Sequence, residues 1–389
     1  MSIDLSETPK IKYFETESNP TPNGDGAEIP VIIGITGNTT PATGILKFKN
    51  YTAAAKSVAN GGIGTDPATN PVLKFLKGFF EENIKKESDD LTVPYVYVID
   101  LGTGKTSGQT PELNNAAWTA AFATAKIKRD AQAEVLVGFT KTDTAAKIIP
   151  IIESGLAKIK EDAKKGNPRI LYYSVDGMTM TELAALNDAE QTNYVQDPRV
   201  GLVGPFDEFG ITCARIFTTH FSEEPGYEEY RSIPAGTFTE RTDDEEDEIQ
   251  NNGIIFNRDE KPGKSVHPKI CLAVSTAFAK NPDNRPNDCL LHSRRNVDQL
   301  IRDAFEVLYP QLKRNETEVN LSYLQADIDT LVSEKKEAGY MMEGTYIDVK
   351  ESESNPFDLD VEGVAVPVNS TELIRFTMYI EAPVTTVRS

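Results

Sequence analysis

Residues 134–173 read EVLVGFTKTDTAAKIIPIIESGLAKIKEDAKKGNPRILYY, and this stretch decides the fold class. Glu134 to Phe139 reads as a strand, Asp143 to Lys165 as a long helix and Arg169 to Tyr173 as a second strand. Two strands joined by a helix of ten or more residues form one unit of a parallel sheet, because a parallel neighbour needs a long crossover. The alternation continues downstream with a helix over Thr179 to Thr192 and a strand at Val200 to Val203. Upstream lie a helix over Ala116 to Arg129 and the run Tyr95 to Ile99, opened by Pro94 and apolar enough for a strand covered on both faces. Before these come a helix begun by Pro71, with Val72, Phe75, Leu76, Phe79 and Phe80 at helical spacing, and a strand at Ile29 to Ile35. Gly44 to Lys49 reads as a further strand and Ala53 to Ala59 as a short helix. Helices and strands in this order predict a doubly wound α/β domain.

The chain changes character towards both ends. Residues 205–292 are less regular, with a helix over Phe209 to Thr219, a turn at Glu224 to Tyr227 and a strand at Ile270 to Ala277. Thr242 and Glu245 have capping-box spacing in front of an acidic helix that Gly253 ends. Val297, Leu300, Ile301, Ala304, Phe305 and Leu308 then form one apolar helical stripe, and Leu321, Leu324, Ile328 and Leu331 repeat it. Strands follow at Thr345 to Lys350, Val361 to Val368 and Thr371 to Glu381; in the last, Ile374, Phe376, Met378 and Ile380 alternate with polar neighbours. Two helices before three strands predict an α+β unit, so the fold class is α/β plus α+β. At the other end, Pro9, Pro20 and Pro22 mark residues 1–28 as an arm, within which Ile11 to Glu15 suits a strand if a sheet edge is offered.

Composition narrows the function. The 389 residues suit about two or three domains. Sixty Asp and Glu stand against 40 Lys and Arg, a formal net charge of −20, which opposes nucleic-acid binding and a polybasic membrane anchor. No apolar run reaches the ~20 residues of a membrane span, and Met1 to Lys10 lacks a secretory pattern, so folding in a cytoplasm is expected. Cys213, Cys271 and Cys289, like His220, His267 and His292, are too scattered for a disulfide framework or a metal site. Gly102 to Thr106 lacks the first glycine of a phosphate loop, and Gly61 to Gly64 follows a helix where a dinucleotide fingerprint follows a strand. Asp243 to Glu248 points its carboxylates all round a helix, and no Gly-x-Ser-x-Gly elbow occurs. Neither catalysis nor a cofactor is called for.

The order of these features resembles the sheath protein of contractile phage-like tails. The amino-terminal likeness is an arm followed by Ile29 to Thr36, the Gly44 to Lys49 strand, a helix ending at Phe79-Phe80, and Val93 to Ile99. Further on lie Arg215 to Thr219, Pro225-Gly226, Arg241-Thr242 and Asn252-Gly253-Ile254. The carboxy-terminal likeness is the strongest: Arg295-Asn296-Val297 opening a helix, Leu331 to Gly339 closing another, Asn355-Pro356, and Glu372 to Phe376 in the last strand.

The resemblance implies a structural subunit of hexameric rings stacked around an inner tail tube, bounded by baseplate and tail terminator proteins. The stack shortens to drive the tube through a cell envelope. It implies a virion tail or phage-tail-like particle assembled in the host cytoplasm. The chain divides accordingly into an N-terminal linking arm (1–28), an N-terminal part of the sheath core (29–100), an outer α/β domain (101–260), a tube-proximal α+β core domain (261–368) and a C-terminal strand or arm (369–389). Strand exchange between subunits is expected through Ile11, Tyr13 and Phe14 and through Ile374, Phe376, Met378 and Ile380. Arg295 and Arg302, seven residues apart on one helix, are expected to face the tube. Two other readings stay open on the residues alone: an α/β small-molecule-binding protein or enzyme, and a non-contractile lattice or surface-layer protein.

Overall fold

The computed structural model describes residues 27–88, 90–106, 112–234, 236–238, 241–260, 267–308, 310, 321–351 and 359–368. In chain order the elements are β1 (Pro30–Gly34), β2 (Leu46–Phe48), α1 (Tyr51–Ala54), α2 (Pro71–Glu82), β3 (Val96–Asp100), α3 (Asn115–Ala125), β4 (Ala133–Thr140), α4 (Ala145–Ala163), β5 (Ile170–Asp176), α5 (Met180–Ala185), β6 (Val200–Val203) and α6 (Phe209–Thr218). They continue with α7 (Asp243–Asn251), β7 (Ile254–Ile255), β8 (Asn257–Glu260), β9 (His267–Ile270), α8 (Leu291–Leu308), α9 (Leu321–Glu337), β10 (Tyr346–Glu351) and β11 (Leu359–Val364).

Seven strands form one sheet in the order β2-β3-β1-β4-β5-β6-β7, parallel throughout except that β2 runs against β3. The strands are apolar on both sides because helices cover both faces. Val31 and Ile33 of β1 pack with Trp118 and Phe122 of α3 and with Ile148 and Ile152 of α4, while Ile32 packs with Phe75 and Phe79 of α2 and Phe217 of α6. Helices α2 and α6 approach closely at Gly210, where an added Cβ would stand 2.1 Å from the Phe75 carbonyl oxygen. This doubly wound layer is the α/β domain read from residues 134–173.

The division between 29–100 and 101–260 is corrected by this sheet. Strands β1 to β3 and β4 to β7 are hydrogen-bonded neighbours, so no break in the fold falls at position 100. The boundary at 260 also moves: Ile270, Ala273, Val274, Cys289 and Leu291 belong to the same core as Ile32 and Phe79.

Two elements differ from expectation. Helix α5 stops at Ala185, seven residues early, because the fully buried Asn187 side chain donates to the carbonyls of Asn252 (2.8 Å) and Thr276 (2.9 Å) and turns the chain aside. The expected strand from Ile270 to Ala277 is instead the end of β9 and a 3-10 turn over Thr276–Ala279, tied where Ser275 donates twice to the Cys289 carbonyl. The Thr242–Glu245 capping box forms, and Gly253 follows the helix at φ +70°. Among the described residues, no helix is long and apolar enough to cross a membrane.

Beyond the sheet, α8 and α9 pack through Ala304, Leu308, Leu324, Ile328 and Val332, and β10 lies on α9 through Val349. The antiparallel pair β10–β11 completes the described part of this α+β unit. The expected last strand, Thr371 to Glu381, lies outside the described residues.

Candidate functional site: an arginine joint and an open strand edge

Helix α8 crosses the end of the sheet at which the parallel strands begin. In strand–helix–strand units the C-termini of helices gather at that end, presenting carbonyls that no intrahelical donor reaches. Arginines answer them. Arg295 donates to Thr219 O (2.6 Å) just past α6, Arg169 to Ala125 O (3.1 Å) and Lys128 O (2.5 Å) at the end of α3, and Arg302 to Asn167 Oδ1 (3.2 Å) and Pro168 O beyond α4. A cation at a helix C-terminus is favoured by the peptide dipoles as well as by these bonds.

Carboxylates complete the joint. Arg295 pairs with Glu28 at 2.8 Å, Arg169 with Glu134 at 2.7 Å and Arg199 with Asp298 at 2.7 Å, while Arg294 reaches both Asp298 and Asp288. Burial pushes the Glu134 carboxyl above its ordinary range, opposed by Arg169. Burial also works against the charge of Arg294, but Asp298 and Asp288 outweigh it and hold that guanidinium above its ordinary value. The joint closes on packing too: Gly166, at φ +75°, lies so near the Phe305 ring that a Cβ would come within 2.1 Å of it.

This geometry corrects the expected tube-facing role of Arg295 and Arg302. Arg295 is 2% exposed and Arg302 is turned onto the start of β5, so both are occupied inside the subunit. The reason is that the polar face of α8 is itself a packing face, satisfied by Glu28 and by helix-end carbonyls far away in sequence. The arm residues Ile11, Tyr13 and Phe14 and the strand residues Ile374, Phe376, Met378 and Ile380 lie outside the described residues.

The second feature is the β10–β11 pair. On its α9 side, the Gln325 side chain donates to Ile347 O (2.8 Å) and accepts from Val349 N–H (2.9 Å), so the outer edge of β10 is closed. Among the described residues no strand borders β11 on its other side. Tyr346 of β10 and Val361 and Val364 of β11 are each about half exposed, at 50%, 44% and 45%.

Two other places have the outline of chemistry. A cavity of about 360 Å³ opens near the C-terminal end of β1, lined by Thr36, Asn38, Ser57, Asp66, Thr69 and Asn70. Its polar groups are spent on one another: Thr69 donates to Asp66, Asn60 to Ser57, and Asn70 caps α2. Nearby Asp100 accepts from Thr36, Asn38 and the Ala42 and Gly102 amides, which is what the glycine-rich turn after β3 is for. Ser293, His292 and Glu224 form a chain, with Oγ to Nε2 at 3.2 Å and Nδ1 to Oε2 at 2.8 Å, an arrangement that sequence reading missed. Ser293 is 0% and His292 2% exposed, out of reach of a substrate. Among the described residues no group of three or more His, Cys, Asp or Glu is arranged to hold a metal ion.

No protein-family model matches the sequence, and no curated protein is similar to it. Solved structures are similar in fold. A chain of the six-fold symmetrised anti-feeding prophage baseplate aligns over 95% of this chain and 98% of its own, at 11% identity and a TM-score of 0.59. The sheath tail protein of Desulfitobacterium hafniense aligns over 92% and 97% respectively, at 10% identity and TM-score 0.57. That of Listeria innocua aligns over 89% and 93%, at 9% identity and TM-score 0.58. Over nearly its whole described and aligned length, this chain therefore shares the fold of the sheath tail proteins.

Proposed function

We propose that this chain is the structural, non-catalytic subunit of a contractile tail sheath. The observation that carries the reading is the shared fold, which runs through nearly the full length of both chains in each comparison and leaves no large extra domain to explain. A similar chain also occurs in the anti-feeding prophage baseplate in its contracted state. In this reading the subunits form hexameric rings stacked around an inner tube, meet a baseplate at one end and a terminator at the other, and shorten to drive the tube through an envelope. The particle is a virion tail or phage-tail-like body assembled in the host cytoplasm.

The subunit's anatomy supports a division of labour. The edge of β11, which no strand among the described residues borders, suits an added strand, which supplies main-chain hydrogen bonds that survive rotation of the domains. Residues 1–28 and 369–389 are the donors in this scheme. The α+β unit then sits near the tube, where the links between subunits run, and the seven-stranded sheet points outward. Negative-stain microscopy of the purified protein, with and without its tube partner, tests the function. Tubes of subunit-wide wall are expected, and a protein that stays a monomer or small oligomer at high concentration in both samples contradicts it. A chain lacking residues 1–20 that still builds long tubes removes the N-terminal arm from the scheme.

A further inference from the structure

We infer that Gln325 makes the β10–β11 pair a one-sided acceptor, steering a donated strand to β11 and excluding it from β10. The inference rests on the strand-linking reading above and adds which edge is used, and why. Along a strand, the N–H and C=O of one residue point to the same side and those of the next residue to the other. Ile347 O and Val349 N–H are directed at Gln325, so Tyr346, Asp348 and Lys350 are the residues bonded to Val364, Glu362 and Asp360. On β11 the outward backbone groups are therefore those of Leu359, Val361 and Gly363.

The amide of Gln325 presents one donor and one acceptor at strand spacing, as a neighbouring strand would. An approaching strand gains nothing at Ile347 and Val349 unless it displaces that side chain. At β11 it gains bonds that no strand among the described residues supplies. Glutamine fits where other residues do not: a carboxylate lacks the donor for Ile347 O, and an aliphatic side chain lacks both groups.

The occupant is the segment Lys10 to Phe14 of a second copy, on grounds of charge. Cross-strand partners share a face, so Val361 lies on the Val349 face towards α9, and Asp360 and Glu362 lie with Asp348 and Lys350 on the other, where Lys350 stands 3.9 Å from both Asp348 and Glu362 and leaves three carboxylates to one cation. In an extended Lys10–Ile11–Lys12–Tyr13 segment, Ile11 and Tyr13 share one face and Lys10 and Lys12 the opposite one. With Ile11 and Tyr13 beside half-exposed Val361, the two lysines meet Asp360 and Glu362. The segment Thr371 to Glu381 offers only Arg375 as a cation, beside Glu372 and Glu381.

Amide hydrogen exchange in the full chain, with an excess of a peptide of residues 7–17, tests this. In the wild type the peptide is expected to slow the Val361 and Gly363 amides and leave Val349 unchanged. Gln325→Leu, which keeps packing volume, is expected to speed Val349 exchange roughly fivefold without peptide and to make that amide respond to peptide as well. Val361→Pro removes an outward N–H and no bond to β10, so it is expected to abolish the response of Gly363 while the amides of α9 stay protected. A Gln325→Leu chain, folded by α9 protection, whose Val349 amide ignores the peptide overturns the role of Gln325 and leaves the strand-accepting reading standing. A wild-type chain whose Val361 and Gly363 amides ignore this peptide, but respond to one of residues 369–383, overturns the occupant. Indifference to both peptides overturns the inference and the strand-accepting reading together.

Discussion

The joint under the sheet and the hairpin beyond α9 use hydrogen bonds in opposite ways. At the joint, five arginines and four carboxylates are turned inward, and even helix-end carbonyls have found donors. At the hairpin, one edge is closed by a single glutamine and the other is left unpaired among the described residues. A buried ion pair adds little over an apolar contact but punishes any rearrangement that separates it, because each lone charge is then stranded away from water. The first region therefore fixes how α8 sits on the sheet. The second, in the proposed function, keeps bonding capacity for another chain. The proposed sheath subunit, turning in a lattice without coming apart, would need both.

Breaking the joint is expected to have the largest effect. Arg295→Ala strands the Glu28 carboxylate, 8% exposed, and should cost about 3–5 kcal/mol, read as a lower denaturant midpoint at an unchanged slope. A loss below about 1 kcal/mol would mean that water reaches Glu28 and that the joint is looser than its contacts show. Gly166→Ala comes next. It combines a positive φ with a clash against Phe305 and should cost about 2–3 kcal/mol, partly restored by Phe305→Leu.

A pH test sharpens the same contrast inside the α/β layer. Glu208, at the start of α6, is raised to about 7, chiefly by burial, although Asn257 donates to it. The folded chain thus holds a proton that the unfolded chain releases near the ordinary glutamate value of 4.5, so stability falls as pH rises from there to about 7 and stays lower above it. Glu208→Gln, which still accepts from Asn257, should remove that slope and leave the protein about 1–2 kcal/mol more stable at pH 8. Denaturant midpoints at pH 5 and pH 8 measure it. The smallest effect belongs to the hairpin: Tyr346→Ser, on its exposed face, should change folding stability by less than about 0.5 kcal/mol.

The two regions were also unequally legible in the sequence. Runs such as Tyr95 to Ile99 and Glu134 to Phe139 carry their burial in their own composition, and the Thr242–Glu245 box is a contact three residues long. These local signals place the strands of the parallel sheet and most of its helices. The joint has no such signal. Arg295 and Glu28 are 267 positions apart, and Arg302 and Pro168 are 134 apart, so periodicity on α8 reports a polar face without saying whether water or protein covers it. An arginine is ambiguous in this respect, since its fork satisfies helix-end carbonyls as readily as solvent. Helix α5 was overestimated for the same reason, because the partners of Asn187 lie 65 and 89 residues away. Gln325 was invisible, since nothing local distinguishes an edge-closing glutamine from a solvated one on a helix.

A cryo-electron microscopy map of the assembled particle in its long and short forms tests the central claim most directly. The result expected is a neighbouring subunit's strand beside β11 in both forms, with Arg295 still on Glu28 and α8 unmoved against the sheet. A bare β11 edge in either form, or α8 lifted from the strand ends between the two, would contradict it.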